Sequence, residues 1–145
     1  NANPASMAAG LRTLAALATA GKGKRKSMAV LGDMLELGAA SPAQHQGIGR
    51  LAAELGLSYL ALTGSYAGEI AQAAQAHGMQ AERIRIFDNP AAIGSWCAGL
   101  ISKGDLGQGD WILVKGSRGM RMEGFIEELE QLLQAADQQG VHHAV

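Results

Sequence analysis

Short apolar segments of strand length alternate with amphipathic segments of helical length along almost the whole chain. The four strand-like segments read SMAVLGD, YLALTG, RIRIFD and DWILVKG, and polar residues and then a stretch with helical periodicity follow each of them. Strands that alternate with helices of about 10–15 residues are typical of a parallel sheet covered on both faces. We therefore predict an α/β fold, a Rossmann-like three-layer sandwich with a mostly parallel sheet and helices on both faces.

Two helical segments begin with a recognisable capping pattern. NPASM places Asn3 as an N-cap with Pro4 at the first helical position, and SPAQH repeats the pattern with Ser41 and Pro42. The third strand alternates charged and apolar residues, which indicates an edge position.

The helical period is lost after Gln134. We therefore predict one domain over residues 1–134 and a disordered tail over residues 135–145. Because the chain does not begin with methionine, we also expect it to be part of a longer protein.

The composition excludes several classes of function. Hydrophobic residues make up 48% of the 145 residues, charged residues 17%, and the net charge is −1. This balance argues against a basic nucleic-acid-binding domain and against a disordered acidic chain. No apolar run approaches the roughly 18 residues of a membrane span. Cys97 is the only cysteine, so we expect no internal disulfide, and a reducing cytoplasm as the location. No His, Cys and Asp spacing indicates a metal site.

Polar residues and glycine follow every predicted strand. The strand exits are Gly32–Asp33, Thr63–Ser65, Asp88–Asn89 and Lys115–Arg118. Because the carboxyl ends of parallel strands meet at one edge of a sheet, where ligands of such folds bind, we expect these residues to lie together. We call this set of strand exits the rim.

The stretch VKGSRGMR brings three cations and a hydroxyl group directly after a buried strand. Lys115, Ser117 and Arg118, beside the backbone amides of a helix N-terminus, are suited to a carboxylate or a phosphate. The alternative is that Arg118 and Arg121 are solvated residues of the first helical turn, but the helix dipole disfavours cations there. The pattern G-x-x-x-x-G-K-[ST] does not occur, so this is not a P-loop.

Other polar residues allow two interpretations each. Asp33 could hold a ribose hydroxyl, a lysine or a metal-bound water, or it could close a turn. His45 could reach the rim or be a structural helix residue. The segment NANP could only cap a helix, or Asn1 or Asn3 could present an amide to a base or ribose. We interpret GKGKRK as a solvated turn, because it lies at the amino end of the first strand, opposite the rim.

Three motifs in this order and at these separations resemble one known family. They are NANPASM, VLGDMLELG followed by His45, and ILVKGSRGMRME. Together they resemble the carboxy-terminal domain of the Mur ligases, and among these the type that adds D-alanyl-D-alanine. Each motif is weak alone, and the resemblance covers residues 1–134.

The resemblance implies an ATP-dependent enzyme of peptidoglycan synthesis that forms an amide bond through an acyl phosphate. Its substrates would be UDP-N-acetylmuramoyl-tripeptide and D-alanyl-D-alanine. The P-loop, the catalytic lysine and the Mg²⁺ site would lie in a central ATPase domain, over which this domain closes. We therefore expect this chain alone to be inactive, and we expect a monomer.

The resemblance also implies roles for single residues. The positions expected near the nucleotide are Asn1, Asn3, Asp33 and His45. Those expected to receive the carboxylate of the dipeptide are Lys115, Ser117 and Arg118.

Three other interpretations use the same residues. A stand-alone nucleotide- or anion-binding Rossmann-like domain would use the same rim without an ATPase partner. A meso-diaminopimelate-adding Mur ligase or a folylpolyglutamate synthase would differ at NANP and VKGSR. A receiver-like signalling domain would use Asp33, Thr63 and Lys115, but the acidic pair that holds Mg²⁺ in that site does not precede Asp33.

Overall fold

The computed structural model describes residues 2–21 and 23–143, without the side chains of residues 140–143. Helices and strands alternate along this part of the chain, as the sequence predicts. The helices are α1 (Pro4–Thr19), α2 (Ser41–Glu54), α3 (Ala67–Ala76), α4 (Pro90–Ser102) and α5 (Glu123–His143). The strands are β1 (Ser27–Leu31), β2 (Tyr59–Thr63), β3 (Ile84–Phe87) and β4 (Trp111–Lys115). In the described part of the chain, no helix is long and apolar enough to cross a membrane.

All paired strands are parallel, and their order in the sheet is β3-β2-β1-β4. Every residue of β1 and β2 is buried, as expected for central strands with helices on both faces. The strand β3 lies at an edge, and the side chain of Ile86 is 54% exposed there. This confirms the edge position that its alternating sequence predicts.

The path of the chain places the helices in two layers. From β1 the chain moves outward to β2 and β3 and then returns to pair β4 with the other side of β1. Since parallel crossovers are right-handed, this reversal moves the connecting helix to the opposite face. Ala29 and Leu31 pack in one core with α1, α2 and α3. Met28 and Val30 pack in the other with α4 and α5. The predicted three-layer sandwich is confirmed.

The two predicted helix caps have different outcomes. Asn3 is the N-cap of α1, where its side chain accepts a hydrogen bond of 2.9 Å from the Ser6 amide and Pro4 is the first helical residue. The prediction for Ser41 is wrong, because a 3₁₀ turn at Gly38–Ala40 runs directly into α2 and makes Ala40 the N-cap. Ser41 is buried inside the first turn instead.

The last helix is longer than its periodicity predicts. It continues through residues 135–143, so this segment is helical rather than a disordered tail. This part of the helix has no apolar face, but it contains good helix formers, namely Ala135, Ala136, Gln138 and Gln139. Extending an existing helix also needs no new nucleation. Residues 144–145 lie outside the described part, and the domain limits remain a prediction.

Close contact between α2 and α3 depends on Gly49. A Cβ atom at this buried position would overlap the carbonyl oxygen of Ile70 in α3. Gly47 lies in the same helix, is exposed and would have no atom within 4 Å of an added Cβ. Both glycines lie in the middle of α2, but only Gly49 packs against another helix.

Replacing these glycines by alanine is expected to change stability in opposite directions. Gly49→Ala should lower the free energy of unfolding by at least about 2 kcal/mol, because α2 and α3 must separate to accommodate the methyl group. Gly47→Ala should raise it by up to about 1 kcal/mol, because alanine is the better helix former. Urea unfolding of the two variants measures both values, and equal effects would contradict this account of the helix contact.

Cys97 is a residue of α4, and its side chain is fully buried in the core. Burial raises the pKa of its thiol from 9.0 to about 11, because the thiolate would lose its hydration. Well below its ordinary pKa of 9.0, the thiol is protonated in both the folded and the unfolded chain. As the pH rises from 9 to about 11, only the unfolded chain ionises, so folding stability falls.

This shift predicts that stability lost at high pH depends on Cys97. The free energy of unfolding should fall between about pH 8 and about pH 10, and Cys97→Ala should show a smaller fall. Urea unfolding at the two pH values measures the difference between the two proteins. An identical fall in both would assign the loss to other groups.

Candidate functional site

The structure brings the four strand exits together at one edge of the sheet. Leu31 pairs with Lys115 across β1 and β4, and Thr63 pairs with Phe87 across β2 and β3. The residues that follow these pairs therefore leave the sheet at the same level. The strand exits therefore lie together at one edge of the sheet, as predicted. The residues at these exits differ in the groups that they contact.

The Asp33 carboxylate supports the rim from below. The side chain is 4% exposed, and its two oxygens accept hydrogen bonds from the backbone amides of Ser65 (2.8 Å) and Tyr66 (3.0 Å). Gly64, at φ +113°, comes so close that a Cβ atom there would lie 2.5 Å from Asp33 Oδ1. Asp33 therefore fixes the loop between β2 and α3, and both of its oxygens have partners within the domain.

His45 is also an internal support. It is fully buried, its Nε2 accepts a hydrogen bond of 3.0 Å from the Met34 amide, and its Nδ1 lies 2.7 Å from the Ser41 carbonyl oxygen. Because a backbone amide only donates and a carbonyl only accepts, the proton lies on Nδ1. Its ring stacks on that of Tyr66, with centroids 4.4 Å apart.

Backbone hydrogen bonds join β1 and β4 beyond the end of the sheet. Gly32 N–H donates to the Lys115 carbonyl, and Ser117 N–H donates to the Asp33 carbonyl, both at 2.9 Å. The Leu35 amide then donates to Ser117 Oγ at 3.0 Å. This is the point where the strand order changes direction, at which ligands bind in such sheets. Ser117 keeps a hydroxyl proton with no acceptor in the described part of the chain.

Two glycines allow this close approach. A Cβ atom at Gly116 would lie 3.1 Å from the Cα of Gly32 and 2.9 Å from the Cγ of Met122. A Cβ at Gly32 would lie 2.9 Å from the Met122 sulfur. The loops after β1 and β4 therefore pack as one unit.

The three cations of this segment have no partner of opposite charge among the residues that the structure describes. Lys115 is half-buried, with its stem packed against Gly10 of α1, while Arg118 and Arg121 are exposed. Among the described residues, ion pairs form only between Arg50 and Glu54 and between Lys103 and Asp105. The charge of the rim cations is therefore available to a ligand.

Backbone amides add to this positive charge. The amides of Ser117, Met120 and Arg121 donate to acceptors in the described chain, whereas those of Arg118 and Gly119 do not. The expected helix N-terminus is not at these residues, because they form a separate 3₁₀ turn and α5 begins at Glu123. Two amides and two arginines on this turn, with Lys115 at the end of β4 before it, nonetheless suit an anion.

Two non-glycine residues with left-handed backbone flank this turn. They are Glu36, at φ +65°, and Arg121, at φ +50°. Such conformations are uncommon and cluster at functional sites, where the surrounding structure holds them. In this chain they lie on the two loops that the bond between Leu35 and Ser117 joins.

The amino end of α1 reaches beyond the rim. Gly10 packs beside Lys115, and Asn3 precedes Gly10 by seven residues, so it lies about 10 Å farther along the helix axis. The Asn3 side-chain oxygen caps the helix, and its amide nitrogen makes no hydrogen bond in the described chain. Asn1 lies outside the described residues.

Tyr66 and Leu35 also contribute to the rim, although the sequence motifs do not indicate them. Tyr66 supplies an amide to Asp33 and a ring to His45, and an aromatic residue two positions after Gly64 was the available signal. Leu35 is 46% exposed and lies beside Gly119, so the rim also has an apolar surface.

Fold and rim together define the class of protein. Residues 1–118 match the family described as "Mur ligase, glutamate ligase domain". The chain belongs to this family, and the resemblance predicted from the three motifs is confirmed.

Its similar curated relatives have one activity in their names. The UDP-N-acetylmuramoyl-tripeptide–D-alanyl-D-alanine ligase of Mycobacterium tuberculosis is 36% identical over 131 residues, covering 81% of this chain and 24% of the relative. The ligase of the same name from Bacillus subtilis is 32% identical, covering 89% and 26%. The chain spans about a quarter of the length of these relatives.

Solved structures agree with this assignment. A crystal structure of MurF from Acinetobacter baumannii matches with a TM-score of 0.72 and 29% identity, covering 90% of this chain and 26% of the other. MurF from Thermotoga maritima, solved in complex with ADP, matches with a TM-score of 0.71 at 24% identity, covering 94% and 27%. The second likeness supports the fold alone.

The contacts of Asp33 predict a structural cost for its removal. Asp33→Ala should lower the free energy of unfolding by about 2–4 kcal/mol, because two amides lose a charged acceptor. Asp88→Ala removes an exposed carboxylate from another strand exit and should change it by less than about 0.5 kcal/mol. Thermal and urea unfolding compare the two. A neutral Asp33→Ala would mean that its carboxylate does not support the loop.

Proposed function

We propose that this chain is the carboxy-terminal domain of a ligase that adds D-alanyl-D-alanine to UDP-N-acetylmuramoyl-tripeptide. In this role it closes over ATP and positions the incoming dipeptide during peptidoglycan synthesis. The observation that carries the proposal is the turn at residues 117–121, with unpaired cations and amides, in a chain whose relatives are ligases of that name.

The carboxylate of D-alanyl-D-alanine is the anion that we assign to this turn. Arg118 offers a planar fork that can hold both carboxylate oxygens, and Lys115 adds a point charge. The unused hydroxyl proton of Ser117 can donate to the same group. Leu35 offers exposed apolar surface of the kind that would accept a methyl group of the dipeptide. Holding the dipeptide at one end leaves its amine free to attack an acyl phosphate.

Asp33 and His45 would act on the nucleotide indirectly. Both oxygens of Asp33 and the Nε2 of His45 contact the rim loops, while the Nδ1 of His45 bonds to Ser41 in α2. We therefore assign Asp33 and His45 to positioning the loops that face the closing cleft. Asn3 retains an amide that could contact the ribose or base, and the same role is proposed for Asn1.

The remaining chemistry would belong to a central ATPase domain. We assign transfer of the γ-phosphoryl group of ATP to the substrate carboxylate, the catalytic lysine and Mg²⁺ to that domain, as the family resemblance implies. Among the described residues of this chain, no group of three His, Cys, Asp or Glu is placed to hold a metal ion. This domain would contribute alignment of the amine with the acyl phosphate and exclusion of water on closure. We further propose a cytoplasmic, monomeric enzyme, and no ligation by this chain alone.

Titration of D-alanyl-D-alanine followed by heteronuclear NMR tests the carboxylate site. Saturable shifts should appear at residues 115–121, and Arg118→Ala should weaken binding roughly tenfold because a charged hydrogen bond to the carboxylate is lost. Arg12→Ala, which removes an exposed arginine from α1, is the matched control and should have no effect. Weak binding is expected, because half of the cleft would lie on the central domain.

A separate titration with ATP and Mg²⁺ distinguishes a nucleotide site from an acceptor site. Shifts around Asn3 and Asp33 with ATP, and none at 115–121 with dipeptide, would contradict the assignment of the carboxylate. The cations of the turn would then hold a phosphate of the nucleotide.

A further inference from the structure

A second concentration of positive charge lies at the opposite end of the sheet from the rim. Residues that precede β1, β2 and β3 enclose a cleft of about 490 Å³. Its cationic lining residues are Lys24, Arg25, Lys26 and Arg83. Because the strands are parallel, these residues meet at the amino edge although Arg83 is far from the others in sequence. A five-residue strand places this edge about 17 Å from the rim.

The lining of this amino-edge cleft contains no carboxylate. None of its four cations forms an ion pair within the described residues. The Lys26 ammonium donates instead to the Asp105 carbonyl oxygen at 2.6 Å. The nearby Asp110 carboxylate accepts from the backbone amides of Lys26 and Gly107. The Arg25 guanidinium lies against Gly109, next to Asp110. Lys24 and Arg83 are therefore the cations left to the cleft, and because no carboxylate lines it, they raise the local potential for an anion.

Arg83 is held in place before any ligand arrives. Its guanidinium donates to the Ser58 carbonyl oxygen at 3.3 Å, and its Cζ lies 5.5 Å from the centre of the Tyr59 ring. A cation fixed by one hydrogen bond and one aromatic face loses little side-chain freedom on binding. The remaining guanidinium donors are therefore prepositioned at the cleft.

Glycine residues leave the cleft open. Gly56 and Gly78 end helices with positive φ values of 69° and 106°, and an added Cβ at either would have no atom within 4 Å. These glycines leave space between the larger lining residues, such as Leu57, Met79 and Arg83. It is large enough for a small phosphorylated molecule or for the headgroup of a lipid.

We propose that the amino-edge cleft binds a phosphate-bearing anion, at a site separate from the rim. Phosphate fits better than a single carboxylate because Lys24 and Arg83 both line the cleft and a phosphate group carries more charge and more acceptor oxygens. Arg83 supplies the directional contact, while Lys24 supplies charge. The source of the phosphate is either a free phosphorylated molecule or an anionic lipid headgroup. In this proposal, residues 24–26, which the sequence predicts to be part of a solvated turn, line a binding cleft.

Inorganic pyrophosphate is the probe for this site, titrated into the 145-residue chain and followed by amide NMR shifts. Saturable shifts are expected at Gly56, Gly78 and Gln80, with an affinity that falls as salt is added. Arg83→Gln should raise the Kd roughly tenfold, and Lys24→Gln several-fold. Arg12→Gln removes the same charge from α1 and should leave the Kd unchanged.

Two variants keep the test decisive if one of them unfolds. Arg83→Gln removes a contact to Tyr59 and Ser58 and could disturb the loop, whereas Lys24 makes no described hydrogen bond, so Lys24→Gln leaves the fold intact. Pyrophosphate shifts restricted to residues 115–121 would overturn the proposal. So would cleft shifts whose Kd changes no more in Arg83→Gln and Lys24→Gln than in Arg12→Gln.

Sedimentation with vesicles distinguishes the two sources of phosphate. Vesicles of phosphatidylcholine with phosphatidylglycerol are compared with vesicles of phosphatidylcholine alone. Binding to the anionic vesicles that Lys24→Gln weakens assigns the site to a lipid headgroup. Pyrophosphate binding without vesicle binding assigns it to a free phosphorylated ligand. Binding of neither probe overturns the proposal.

Discussion

The geometry of the rim depends on the residues around Asp33. Its carboxylate holds the loop after β2 through the amides of Ser65 and Tyr66, and its carbonyl holds the loop after β4 through the amide of Ser117. Three loops from three neighbouring strands are thus joined at one residue that is itself 4% exposed. Charged hydrogen bonds in a buried setting are stronger than those at the surface, and breaking one leaves a buried donor unpaired. The positions of the exposed cations follow from this buried arrangement.

The rim therefore divides its polar residues into supports and contacts. Asp33 and His45 have all their polar atoms bonded inside the domain, whereas the cations of the last loop have no partner there. The motif that contains Asp33 and His45 can therefore be needed to shape the rim without contacting a ligand itself. Substitution of a support should lower both stability and affinity, while substitution of Arg118 should lower affinity alone. Comparing the two effects separates the two roles experimentally.

Much of the fold follows from the sequence, because periodicity and capping are local signals. The edge position of β3, the cap at Asn3 and the two helical layers were all predictable in this way. The orientation of the Asp33 side chain was not predictable, because no local pattern shows that its carboxylate turns toward Gly64 rather than toward solvent. The amino-edge cleft is lined by Lys24–Lys26 and Arg83, and their proximity cannot be predicted until the order of the strands is known. Likewise Gly47 and Gly49 read alike in sequence and differ only through the position of Ile70.

The bonds that tie the rim loops together also determine what ligand binding costs. Loops that become ordered only around a ligand lose conformational entropy at that moment, and the affinity is lower by that amount. Here the loops after β1, β2 and β4 are already fixed to one another by main-chain and carboxylate hydrogen bonds, so that entropy is lost when the domain folds. A ligand that meets this surface needs to immobilise only a few long side chains. The affinity of an anion for this edge would therefore be set mainly by charge and desolvation, and a rigid-body movement of the domain would carry the surface without reassembling it.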